Sequence, residues 1–138
     1  MPAFADIILA DGQTTPVTHT FSPVTIDKNG VAFHADRSGG IALGYPTVSL
    51  LTRQPVNGSR AVKVIGKVVL PVLDVTSPST ATGIQPAPSK AFDVIFAFDF
   101  TLPERATLAQ KSDVLAYARN LIQTTLVGNM VKDGTSIY

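Results

Sequence analysis

The chain has 138 residues, 45% of them hydrophobic, a formal charge of +1 and no cysteine. That length and hydrophobic content suit one domain with a real core, spanning residues 1–138. Without cysteine there is neither a disulfide framework nor a thiolate metal site, and so small a net charge excludes nucleic-acid binding by bulk charge alone, leaving a local basic patch open.

The opening MPAFADIILADG lacks a basic region, and its apolar run is too short for a signal peptide. No stretch approaches the length of a membrane span, so a soluble intracellular product is expected. Phe4 to Ala10 and Pro16 to Phe21 read as a hairpin turning at Asp11-Gly12, which places an amino-terminal hairpin within residues 1–22. Pro23 and Asp27-Lys28-Asn29-Gly30 mark a further turn, and Val31 to Asp36 a short strand before the Ser38-Gly39-Gly40 break. Tyr45 to Arg53 alternates, Asn57-Gly58 signals another hairpin, and Arg60 to Leu73 is the longest strand candidate. Residues 31–102 therefore predict an antiparallel sheet, interrupted by a Pro/Ser/Thr-rich loop over 76–91.

Phe92 to Leu102 follows the period of two most plainly. Phe92, Val94, Phe96, Phe98, Phe100 and Leu102 alternate with Asp93, Ile95, Ala97, Asp99 and Thr101. Pro103 has no N–H to offer a ladder, and Thr107 with Gln110 matches a capping box. Leu108, Leu115, Ala118 and Ile122 then recur at helical spacing, predicting a helical segment over 107–132. Strands first and helix last define an α+β chain, with helices on one face of an antiparallel sheet.

Burying each phenylalanine is worth roughly 1.5–3 kcal/mol, so the aromatic face requires a cover. The helix supplies one, from its own chain or from an exchanging second copy. On the opposite face stand Ser49, Arg53, Lys63 and Lys67, with Ile65 and Ile95 among them. That face is open, mixed and locally basic, and Asp93 and Asp99 on it offset part of the charge.

Catalytic motifs are missing from the sequence: it contains no HExxH, no P-loop and no GxGxxG. Asp93 and Asp99, six residues apart on one strand face, stand about 20 Å from each other, whereas glycoside hydrolysis needs carboxylates roughly 5–9.5 Å apart. His19 and His34 sit beside apolar alternating residues and read as ordinary strand or loop histidines. No enzyme, metal or cofactor is expected.

Taken in order, ADGQTTPVTHTF, GYPTVSLLTRQP, VTSPSTATGIQPAP, FTLPERATLAQKSDVLAYARNLI and the SIY ending resemble the coat proteins of single-stranded RNA bacteriophages, the levivirus group. The likeness spans nearly the whole chain and rests on many weak matches in the right order. It implies an interlocked homodimer whose Phe96, Phe98, Leu115, Ala118 and Ile122 meet across the interface, assembling into an icosahedral shell inside the bacterial host cytoplasm to form the virion. It implies that the 76–91 loop, with Ser77, Pro78, Gln85 and Pro86, meets its copies at symmetry axes. It also implies that the viral single-stranded RNA lies against Ser49, Arg53, Lys63 and Lys67, including a hairpin whose binding represses translation. Leu51, Ile65 and Ile95 depart from the polar or aromatic residues common there. No membrane partner is implied. The rival expectation is a small binding or adaptor domain that docks a protein on its open face.

Overall fold

The computed structural model describes residues 1–58, 60–74 and 89–137. The chain forms two compact units, Met1–Thr101 and Leu102–Tyr138. The first is a six-stranded sheet in simple sequence order, with strands β1 (Ile7–Ala10), β2 (Thr18–Ile26), β3 (Ala32–Ala35), β4 (Thr47–Arg53), β5 (Ala61–Leu73) and β6 (Lys90–Pro103). The last two residues of β6 pass into the second unit, which holds helices α1 (Leu108–Ile122) and α2 (Thr125–Asp133). Antiparallel strands with helices after them match the predicted order.

The turns explain the meander. Asp27 receives the Asn29 and Val31 N–H groups on one carboxylate oxygen, at 2.8 and 3.0 Å, while Gly30 takes φ +83°. A short polar side chain and a glycine thus close β2 onto β3 without strain. The β1–β2 connection is longer than the tight Asp-Gly turn expected. It runs from Asp11 to Val17, closed by the Asp11 N–H to the Val17 carbonyl at 2.9 Å and by the Val17 N–H to the Asp11 carboxylate at 3.0 Å.

Pro23 does not end its strand, contrary to the turn expected there. β2 continues to Ile26 through a register shift between Pro23 and Thr25, an irregularity that tolerates a residue with no N–H. A short 3-10 turn at Ala42–Gly44, not foreseen from the sequence, leads into β4.

Register assigns each side chain to a face. Val48 opposes Val68, Leu50 opposes Gly66 and Thr52 opposes Val64, so these share one face with His34 and Ala32 of β3. A Cβ added at Gly66 would run into the Phe98 ring, which puts Phe98 and its even-numbered neighbours on that same face. The aromatic ladder is continuous, with ring centroids 6.0 Å apart for Phe96–Phe98 and 5.5 Å for Phe98–Phe100. Among the described residues the buried apolar side chains are Phe21, Ala35 and Val48. A single sheet layer can bury little more, because a stable core needs a second layer.

The first helix, α1, begins as the sequence predicts. The Thr107 hydroxyl accepts from the Gln110 N–H at 3.3 Å, and the Gln110 side-chain oxygen accepts from the Thr107 N–H at 2.9 Å, completing the capping box. The helical segment then breaks into two, because Thr124 caps a new helix through the Val127 N–H. Gly134, at φ +65°, terminates α2 in the left-handed region that glycine enters at least cost.

Candidate nucleic-acid interface

The face opposite the phenylalanines carries the residues singled out for RNA. Ser49 pairs directly with Lys67, and Arg53 with Lys63, across β4 and β5. Directly opposed side chains in an antiparallel pair have Cβ atoms about 4.5–5.5 Å apart, and four residues along a strand cover about 13 Å. The four residues therefore form two rows, separated by the apolar Leu51–Ile65 pair.

Arg53 facing Lys63 is a like-charge pair, which costs stability in a sheet unless an anion lies against it. Asp99 of β6 stands 3.9 Å from the Lys63 ammonium, with both side chains about half exposed, so the contact is loose and solvent-screened. Asp93 is drawn instead to Lys90 at 2.9 Å. The arrangement can hold phosphate oxygens through cations and a hydroxyl. Leu51, Ile65 and Ile95 offer no surface for base stacking, but Phe33 of β3, half-buried and directly opposite Ser49, puts one aromatic ring on this face.

The residues named for a subunit interface fall on two apolar surfaces. On β6, Phe92 and Phe96 remain 57% and 46% exposed, while Phe98 is half-buried. No residue of α1 is buried: Leu115 is 61% exposed, and Val114, Tyr117, Leu121 and Ile122 widen its apolar surface beyond the stripe read from the sequence. Ser77, Pro78, Gln85 and Pro86 lie outside the described residues.

Sequence reasoning passed over one polar cluster. His19 places Nε2 3.1 Å from Asp11 and Nδ1 2.9 Å from Asp36, and Asp36 is only 4% exposed. Its partners stand eight and seventeen residues away, so no local pattern announces them. The Val17 N–H, and after it the His19 ring, hold the Asp11 carboxyl below its ordinary value. The Ser38 N–H does the same first for Asp36, and Asp11 followed by Asp36 raises His19.

The carboxylates approach opposite sides of the ring and do not converge on a common point. Among the described residues no group of His, Asp and Glu could hold a metal ion, and no helix is long and apolar enough to cross a membrane. His34 is buried, donating from Nε2 to the Ala5 carbonyl at 3.2 Å under the edge of Phe4, with Nδ1 unpartnered.

The candidate site is thus laid out on a broad face of an antiparallel sheet. The sequence profile of the levivirus coat proteins matches residues 2–138, so the chain belongs to that family, a structural capsid protein and not an enzyme. The virus-like particle of bacteriophage ESE058 has a chain similar at 30% identity and a TM-score of 0.90, covering 99% of this chain and 100% of that one. The virus-like particle of bacteriophage NT-214 is similar at 35% identity and 0.83, over 97% and 98%. An unassembled bacteriophage coat protein dimer, described as RNA-binding, shares the fold at 18% identity and 0.67, over 98% of both chains. No curated protein matches. The six-stranded antiparallel sheet with carboxy-terminal helices is thus the fold of the family that the sequence resembled.

Proposed function

We propose that two copies of this chain, each acting as a single coat domain over residues 1–138, interlock by laying their helices across one another's phenylalanine face, and that the dimers build an icosahedral shell around RNA. The observation that carries this reading is the double exposure of apolar surface. The β6 ladder and the α1 surface both stand open in one chain, and each is the kind of layer the other needs. Phe96 and Phe98 meet Leu115, Ala118 and Ile122 of the second copy. The particles described for the ESE058 and NT-214 coat chains support the shell.

The opposite face, with Ser49, Arg53, Lys63 and Lys67, points inward and neutralises phosphates. The like-charge Arg53–Lys63 pair supports this, since an anion relieves it. The same face takes an RNA hairpin as a translational repressor and packaging signal, as the RNA-binding dimer of the same fold suggests. Ser77, Pro78, Gln85 and Pro86 meet their copies at the symmetry axes. Assembly takes place in the bacterial host cytoplasm.

Expression of the chain alone in bacteria tests the reading. Electron microscopy of the lysate shows shells, and their ultraviolet absorbance reveals nuclease-protected RNA. A lone subunit or simple dimer without RNA refutes it.

A further inference from the structure

The connection after β1 and the connection after β3 are both tied to one side chain, His19 of β2. Its Nε2 lies 3.1 Å from an Asp11 oxygen and its Nδ1 2.9 Å from an Asp36 oxygen. An ionised carboxylate offers acceptors only, and a neutral imidazole has one N–H and one lone pair. Neutral His19 can therefore satisfy one neighbour while turning a lone pair towards the other's anionic oxygen. The imidazolium donates to both.

Neither carboxylate is free to turn away. The second oxygen of Asp11 accepts from the Gln13 and Val17 N–H groups at 3.2 and 3.0 Å, and that of Asp36 from the Ser38 N–H at 3.0 Å. Each carboxylate is thus fixed by its own connection and presents its remaining oxygen to the ring.

The surroundings add few competing charges. Asp11 from the β1–β2 connection and Asp36 and Arg37 from the β3–β4 connection are the charged residues lining the cavities beside the ring. Leu9 and Ala10 of β1, Phe21 of β2, Pro46 before β4 and Val68 and Leu70 of β5 line its apolar side. Thr18, Thr20, Ser22 and Ser38 line the other, an open cavity of about 350 Å³ through which water reaches the ring. The His19 side chain is 37% exposed, so proton exchange is unobstructed.

The clasp also sits at the edge of the sheet, on a stretch paired on one side only. β1 is a four-residue edge strand, and β3 pairs with β2 only from Ser22 onward, leaving Thr18 to Phe21 joined to β1 alone. We propose that His19 is a proton-operated clasp, tying the β1–β2 hairpin to the β3–β4 connection while charged and loosening the hairpin when it loses its proton.

Amide exchange on the full chain, followed by mass spectrometry from pH 5.5 to 9 and corrected for the intrinsic rate, tests this with the β4–β5 segment as internal reference. Protection over residues 7–21 falls roughly two- to fivefold as pH rises, the scale of a partly exposed ion pair. His19→Gln shows the lower protection at every pH, with no step. Asp36→Asn, which removes one anion while keeping the shape, moves the step to lower pH, and this arm decides the matter should His19→Gln fail to fold. A hairpin whose protection tracks β4–β5 throughout, or an identical step in wild type and in Asp36→Asn, overturns the proposal.

Discussion

Gly66→Ala is the sharpest perturbation of the aromatic face. Gly66 is buried in the middle of β5, and an alanine Cβ there would overlap the Phe98 ring and approach Leu50 Cδ2 to 3.1 Å. Phe98 must swing out or β6 must shift, in either case spoiling ring contacts to Phe96 and Phe100. Two aromatic pairs at about 0.5–1.5 kcal/mol each give a loss of about 1–3 kcal/mol, the usual range for overpacking. Gly66 does not occupy the positive-φ region, so alanine recovers about 0.4–1 kcal/mol from the unfolded chain. The balance is a destabilisation of about 1–2 kcal/mol. Urea unfolding at fixed chain concentration measures it, since association shifts the midpoint. Adding Phe98→Leu to Gly66→Ala, which vacates the contested space, restores part of the loss as a coupling between the two sites. A change below about 0.5 kcal/mol in Gly66→Ala, or no coupling to Phe98→Leu, refutes the packing argument.

Further outcomes follow from other sites. Thr107→Ala breaks the capping box and costs about 1 kcal/mol, read as reduced helical ellipticity and an earlier unfolding midpoint, whereas Thr107→Ser keeps most of it. Gly134→Ala forces a Cβ into the left-handed region and costs about 1 kcal/mol by the same assay. Lys63→Ala with Lys67→Ala leaves dimers intact while encapsidated RNA falls or becomes more salt-sensitive, measured by absorbance ratio across a salt series; unchanged RNA content counts against that face. Asp11 and Asp36 have lowered carboxyl values when folded, so their contribution is present above the ordinary value of 3.8 and is lost as pH falls through the folded values. His19, raised above 6.5, contributes fully below that pH and loses its contribution as pH rises through its folded value. Thermal midpoints therefore gain most from this cluster between those two limits, and Asp36→Asn flattens the acid limb.

Much of the sheet was legible because its strands are bounded by clear turn residues and because the last of them alternates plainly. In Phe92 to Thr101 every second position is apolar and large, and parity alone puts Ser49 and Lys67 on one face. The capping box was legible because all its atoms lie within four residues. Pro23 misled because proline usually stops a strand, and an irregularity that absorbs it depends on β3. The break between α1 and α2 was hidden for the opposite reason: nothing in the apolar pattern marks it, and only the hydrogen bond of the Thr124 hydroxyl sets the new start. Among site residues, Arg53 and Lys63 could be assigned to one face by parity, but their direct opposition required the register. His19 was beyond reach, since its two partners arrive from separate connections and alternation says nothing about them.

An electron cryo-microscopy reconstruction of particles formed by this chain tests the exchanged, two-layer subunit most directly. The expected map traces α1 of one copy over β6 of its mate, with Leu115, Ala118 and Ile122 within van der Waals distance of the mate's phenylalanine ladder. A map in which α1 covers the β6 ladder of its own chain, with no twofold mate across it, would contradict the account.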